Sequence, residues 1–233
     1  MPNFEMEDYT VVWIAPLALE AAAALQLLDE HHGAPARKSG QTLVYHLGCM
    51  GDNNVAVACF PAGESGIGVA GTIAAGMRRD FPNLEVGLLV DIGAGIPSFE
   101  NDIHLGDVAV AVPDEDNPGV IGYDLVKIEP EEIRLKQWQN ASHPMLRSAI
   151  STLNAGLIAS EGTKFTRLST PSQPSTCSEH IRQPRQFPIV HHGTILSGNK
   201  VIKSARYREE LRLRYKAIAI EMEAAGIIPY QWL

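Results

Sequence analysis

The sequence predicts an α/β fold: a single domain with a mixed, parallel-rich central sheet flanked by helices. Three observations carry this reading. Short runs rich in Val and Ile end at turn residues, and Ala-rich or amphipathic stretches of helical length lie between several of them. In addition, Val86 to Ile92 and Ala217 to Ile220 are apolar almost throughout, as a strand covered on both faces requires.

Taken in order, strands are expected at Thr10 to Ala15, Leu43 to Leu47, Val55 to Phe60, Val86 to Ile92, Val108 to Val112, Ile189 to Leu196 and Ala217 to Ile220. Helices are expected at Leu17 to Glu30, Ile67 to Arg79, Pro144 to Leu153 and Lys200 to Tyr215, with a further start at Met222. Pro113 to Gly119 is an acidic turn cluster. Ser169 to Pro188 combines four prolines with Ser, Thr and Gln and is expected to be a flexible insertion. No repeat and no sharp shift in composition divides the chain.

The 233 residues carry 19 basic and 27 acidic side chains, a net charge of −8 with 45% hydrophobic residues. Such a chain can bury a sizeable core, and its mean field disfavours nucleic acid or an anionic membrane as partner. The odd count of three cysteines, Cys49, Cys59 and Cys177, points to a reducing compartment, with the cytoplasm as the expected location. Met1 to Asp8 has three acids and no basic residue, unlike a secretory signal, and no apolar run is long enough to span a bilayer.

Several motifs fail on inspection. In Gly63 to Gly68, Ile67 stands where a nucleophile elbow needs its second glycine, so the segment reads as a glycine turn with Ser65 either capping the helix or facing a ligand. Gly93 to Pro97 lacks the third glycine and the helix of a dinucleotide fingerprint. There is no Walker A lysine pattern. The calcium-like spacing of Asp114, Asp116 and Gly119 is broken by Pro118 and Leu125. Cys177 with His180, His31 with His32, and His191 with His192 lack spaced partners and read as solvated or capping residues. No metal and no cofactor is therefore expected.

The informative acids are Glu221 and Glu223 in IEMEAAG, where an apolar strand gives way to a helix. The C-terminal end of a strand is where open α/β sheets bind ligands, and a partly buried carboxylate suits two adjacent sugar hydroxyls. Glu20 is the lone acid between Thr10 and Leu28. Facing the same cleft, it would fit as a general base for water.

WIAPLALEAAAALQLLDE (Trp13 to Glu30), AGESGIG, VDIGAGIPSFENDIHLGDVAVA (Val90 to Ala111), GVIGYDLVK, HHGTILSGNKVIKSA and IEMEAAG, in this order, resemble the nucleoside phosphorylase-I superfamily. The resemblance is nearest to the nucleosidase/phosphorylase domains of fungal receptor-like proteins. It implies one nucleosidase-like domain over 9–233, with a distorted barrel-like sheet, and cleavage of the N-glycosidic bond of a nucleoside. Met222 and Glu223 match the ribose-binding Met-Glu, Ser65 the serine beside ribose and nucleophile, and Glu20 the water-activating acid of hydrolytic members. Gly93, Val201 and Ile202 fall at positions that line the base pocket.

Phosphorolytic members typically place an arginine two residues before the glycine matched by Gly93, and this chain has Asp91 there. A carboxylate repels phosphate, so water is the expected nucleophile. By the family pattern, a strand and an Asp that protonates the purine follow EMEAAG. Here IIPYQWL ends the chain at Leu233, so the expected fold is C-terminally truncated and lacks that acid. The expected function is hydrolysis of a purine nucleoside or nucleotide, with adenine as the expected base. The alternatives are a catalytically impaired nucleoside-binding or signalling module and a phosphorolytic enzyme. Family members pair or ring near the site, which implies a homo-oligomer.

Overall fold

The computed structural model describes residues 4–33, 40–114, 116–128, 133–135, 140–159, 184 and 186–230. The expected insertion over 169–188 lies outside the described residues except at 184 and 186–188. In the first sheet, β1 (Val11–Ala15) runs parallel to β4 (Asn53–Cys59) on one side and to β5 (Val86–Leu89) on the other. β3 (Tyr45–Met50) and β2 (Glu30–His32) continue outward from β4 in antiparallel pairing, giving the order β2-β3-β4-β1-β5.

Alternation along β1 explains how both faces are covered. Val12 and Ile14 join Ala70, Ile73 and Met77 of α2 (Ile67–Asp80) in the main core, together with Tyr9, Tyr45 and Phe81. On the opposite face, Val11 and Trp13 pack with Val55, Val57 and Ala24 of α1 (Ala18–Gln26).

The second sheet is built on β11 (Val190–Ser197). Its first half pairs in parallel with β7 (Val108–Ala111), and its second half pairs in parallel with β8 (Val120–Gly122) and β12 (Ala217–Glu221). The β11–β12 register shifts between Thr194 and Ile195, a bulge that bends the strand and lets the sheet curl. β6 (Ala94–Gly95) adds antiparallel to β12, while β9 (Val126–Ile128) and β10 (Ile133–Leu135) form a separate antiparallel pair. The helices α3 (Pro144–Ala159), α4 (Ala205–Tyr215) and α5 (Ala224–Ile227), with short 3-10 helices at Met6–Asp8 and Ile228–Tyr230, complete the described elements. The α/β expectation holds, as a mixed curled sheet flanked by helices.

Local differences from the sequence reading have simple causes. The run at Val86 leaves the sheet after Leu89, and Val90 and Ile92 are exposed, so its continuous apolarity overstates its coverage. Glu30 begins an edge strand and thus lies beyond α1, and Ser204 caps α4 through the Tyr207 N–H, which delays that helix to Ala205. The short strands β2, β6, β8, β9 and β10 have too few residues for periodicity to reveal them. Among the described residues, no helix is long and apolar enough to cross a membrane.

Residues 90–96 join the two sheets. The Val90 N–H donates to Ile14 O at 3.1 Å, and the Ile96 N–H donates to Ile218 O at 2.8 Å. This connection carries Asp91 from the end of β5 toward the end of β12.

Candidate active site

Four acids gather where β1, β5 and β12 end. Glu20, in the first turn of α1, accepts N–H bonds from Leu17 at 2.7 Å and from Ile92 at 2.8 Å. The second bond ties the helix to the turn that carries Asp91. Glu221, the last residue of β12, uses Oε2 to accept from the N–H groups of Glu223 at 2.7 Å and Ala224 at 2.8 Å. Glu223 itself precedes α5 and accepts the Gly66 N–H on Oε1 at 2.9 Å. Glu20, Glu221 and Glu223 are all buried.

The loop before α2 is shaped to reach this cluster. Gly66 has φ 92°, in the region that favours glycine, and a Cβ there would collide with the Asn199 side chain. Asn199 Oδ1 accepts the Ile67 N–H at 2.9 Å, and the Asn199 N–H donates to Asp124 Oδ2 at 2.7 Å. Gly226 lets α5 lie against α2, since a Cβ would strike the Ile67 carbonyl oxygen and Ala70. Ser197 Oγ accepts the Ala225 N–H at 2.9 Å, fixing α5 to the end of β11.

The acids are held largely by backbone amides and by one another, so burial and mutual repulsion favour protonation. Burial pushes Asp91 up to about 8, with further contributions from the carboxylates of Glu221, Glu223 and Glu20 and from a hydrogen bond to Glu223. Burial likewise raises Glu221 to about 7, against the downward pull of Ser197 and of the Glu223 and Ala224 amides. Oxygen atoms of Asp91, Glu221 and Glu223 lie within 4.8 Å of one another. Two carboxyl groups hydrogen-bonded to each other, as Asp91 and Glu223 are, need a proton between them.

Structure thus brings Glu20, Glu223 and the turn before Gly93 together. Ser65 is exposed at the loop before α2, next to the Gly66 that donates to Glu223, and Gly66 rather than Ser65 occupies the N-cap. Met222 is half-buried between the two acids. A Cβ on Gly93 would stand 3.3 Å from Ile220 O, so that turn abuts β12. Val201 is 71% exposed, whereas Ile202 packs against the core of the second sheet. Asn199 and Asp124 did not emerge from the sequence as site-forming residues. Asp91 did, but only as a group that repels phosphate; its isolation at the end of an apolar run was the available signal.

No protein-family model matches the chain. Solved structures similar to it include the 5′-methylthioadenosine/S-adenosylhomocysteine nucleosidase of Neisseria meningitidis in complex with methylthio-immucillin-A, with a TM-score of 0.63 at 16% identity, covering 94% of this chain and 78% of that one. The native futalosine hydrolase of Helicobacter pylori gives a TM-score of 0.60 at 18% identity, covering 95% of this chain and 77% of that one. The chain shares the fold of these nucleosidase and hydrolase structures. In that fold, the carboxylates occupy the C-terminal ends of parallel strands, the usual place for ligands. A fungal relative, the nucleotide-binding leucine-rich repeat (NLR)-like protein of Hyaloscypha variabilis, is 34% identical over 262 aligned residues, covering 98% of this chain. The chain spans about a quarter, 26%, of that curated relative's length.

Proposed function

We propose that the chain hydrolyses the N-glycosidic bond of a purine nucleoside or nucleotide, with adenine as the base. The observation that carries this reading is the convergence of Glu20, Asp91, Glu221 and Glu223 on the joint between the two sheets. The acids that stay ionised there repel an anionic nucleophile and favour positive charge developing on the sugar ring.

In this reading, Glu223 accepts the ribose hydroxyls, with its Oε1 held in place by the Gly66 N–H and Met222 alongside. Glu20, oriented by the Leu17 and Ile92 amides, directs water at the anomeric carbon. Ser65 sits at the ribose side of the loop, while Gly93, Val201 and Ile202 border the base. Asp91 holds a proton near neutral pH, which reduces repulsion among the acids, and it offers phosphate no cation where phosphorolytic members place an arginine. The chain acts as a homo-oligomer, needs no cofactor and resides in the cytoplasm.

The test is a panel of purine nucleosides and nucleotides, with and without phosphate. Free base and ribose, formed at the same rate in both conditions, support the proposal. Ribose 1-phosphate as the main product in phosphate buffer refutes it in favour of phosphorolysis. A second reading is supported by the much longer NLR-like relative: a receptor domain that binds a nucleoside without turning it over. Saturable binding without base release selects that reading.

A further inference from the structure

We propose that Glu30, His32 and Cys49 form a zinc-type metal site on the edge of the first sheet, separate from the carboxylate cluster. β2 is the terminal strand of that sheet and runs antiparallel to β3, with Glu30 opposite Cys49 and His32 opposite Leu47. Side chains two apart on a strand share a face, and so do directly opposed residues. The three side chains therefore emerge on one face of the β2–β3 ribbon. One ligand atom from each lies within 4.8 Å of the other two. Ligands on a tetrahedral zinc stand about 3.3 to 3.8 Å apart, a gap that small side-chain rotations close.

The donor set is one nitrogen, one sulfur and one carboxylate oxygen, which favours zinc or cobalt over magnesium or calcium. Thiolate and carboxylate together neutralise a divalent ion. Binding would release the Cys49 thiol proton to solvent and leave a fourth position for water. A second shell is already in place around His32. The buried Tyr9 hydroxyl meets His32 Nδ1 at 2.9 Å, and Phe4 stacks on the imidazole with centroids 4.0 Å apart and planes at 14°. This contact holds the ring, and with Nδ1–H donating to the Tyr9 oxygen, Nε2 carries the lone pair that would bind the metal.

The test titrates the chelator-treated 233-residue chain with Zn²⁺ by calorimetry and with Co²⁺ by absorption. The expected result is one equivalent of either metal and a thiolate-to-cobalt charge-transfer band. Cys49→Ser should abolish the band, and Glu30→Gln and His32→Gln should each weaken Zn²⁺ binding by at least about 10-fold. Tyr9→Phe, which removes the second-shell hydroxyl, should weaken it by about 10- to 100-fold. Cys59→Ser and Cys177→Ser should leave binding unchanged. No saturable binding at micromolar metal overturns the proposal, as does a cobalt band that survives Cys49→Ser or disappears in Cys177→Ser. Should Cys49→Ser fail to fold, the exposed Glu30→Gln decides: unchanged affinity there overturns the site.

Discussion

The two ends of α2 each meet a buried carboxylate, and they accommodate it in opposite ways. At the C-terminal end, Asp80 accepts the Tyr45 hydroxyl at 2.8 Å and the Arg79 Nε–H at 2.9 Å. At the N-terminal end, Glu223 accepts the Gly66 N–H, and its acidic neighbours are Asp91 and Glu221. Asp80 has a counter-ion and a donor, and burial together with that carboxylate holds the Tyr45 phenol well above its ordinary range. The acids at the other end gather like charge that protons must relieve. A buried acid beside a guanidinium is a structural device, whereas in the proposed function the massed acids held by amides at strand ends serve binding and chemistry at a cost in stability.

The largest expected effect separates the two ends directly. Glu223→Ala should remove two charge-assisted hydrogen bonds to ribose, weakening purine-nucleoside binding by roughly 3 to 6 kcal/mol in calorimetric titration. An unchanged affinity would make Glu223 another structural acid and end the contrast. Next, Glu20→Gln should lower base release about 10²- to 10⁴-fold in single-turnover measurements while changing affinity much less. Equal losses in affinity and rate would instead place Glu20 in ground-state binding.

Asp80→Ala should act on stability alone. Leaving the buried Tyr45 hydroxyl without its acceptor costs about 1 to 3 kcal/mol, read as a lower denaturation midpoint with nucleoside affinity unchanged. A loss of affinity in this variant would show that the two ends are coupled through α2.

The smallest effect is a pH slope. Folded-state values of about 8 for Asp91 and about 7 for Glu221 lie above the ordinary 3.8 and 4.5, so the folded chain retains protons that the unfolded chain has released. Their contribution to stability is full below the ordinary carboxylate values and is lost as pH rises through 7 to 8. Asp91→Asn should flatten this decline in a melting series while Asp80→Ala retains it. An unchanged slope in the Asn variant would mean that Asp91 does not share protons with the cluster.

The sequence by itself determined the secondary-structure plan wherever the pattern was long. Val11–Ala15, Ile67–Asp80 and Ala217–Glu221 fall close to their expected places because alternation, a glycine-marked helix start and continuous apolarity each persist over enough residues to be read locally. It also singled out Glu20, Glu221 and Glu223, since an isolated charge beside an apolar run is conspicuous on a linear chain. Only the tertiary structure decided what those charges face. Gly66 reaches Glu223 across 157 residues, and Ile92 reaches Glu20 across 72, distances over which no local pattern operates. The same holds for His32, which reads as a solvated histidine until antiparallel pairing sets Cys49 beside Glu30. Periodicity specifies which face of an element is apolar, but pairing and chain crossing determine which charges meet, and the electrostatics of a site depends on the meeting.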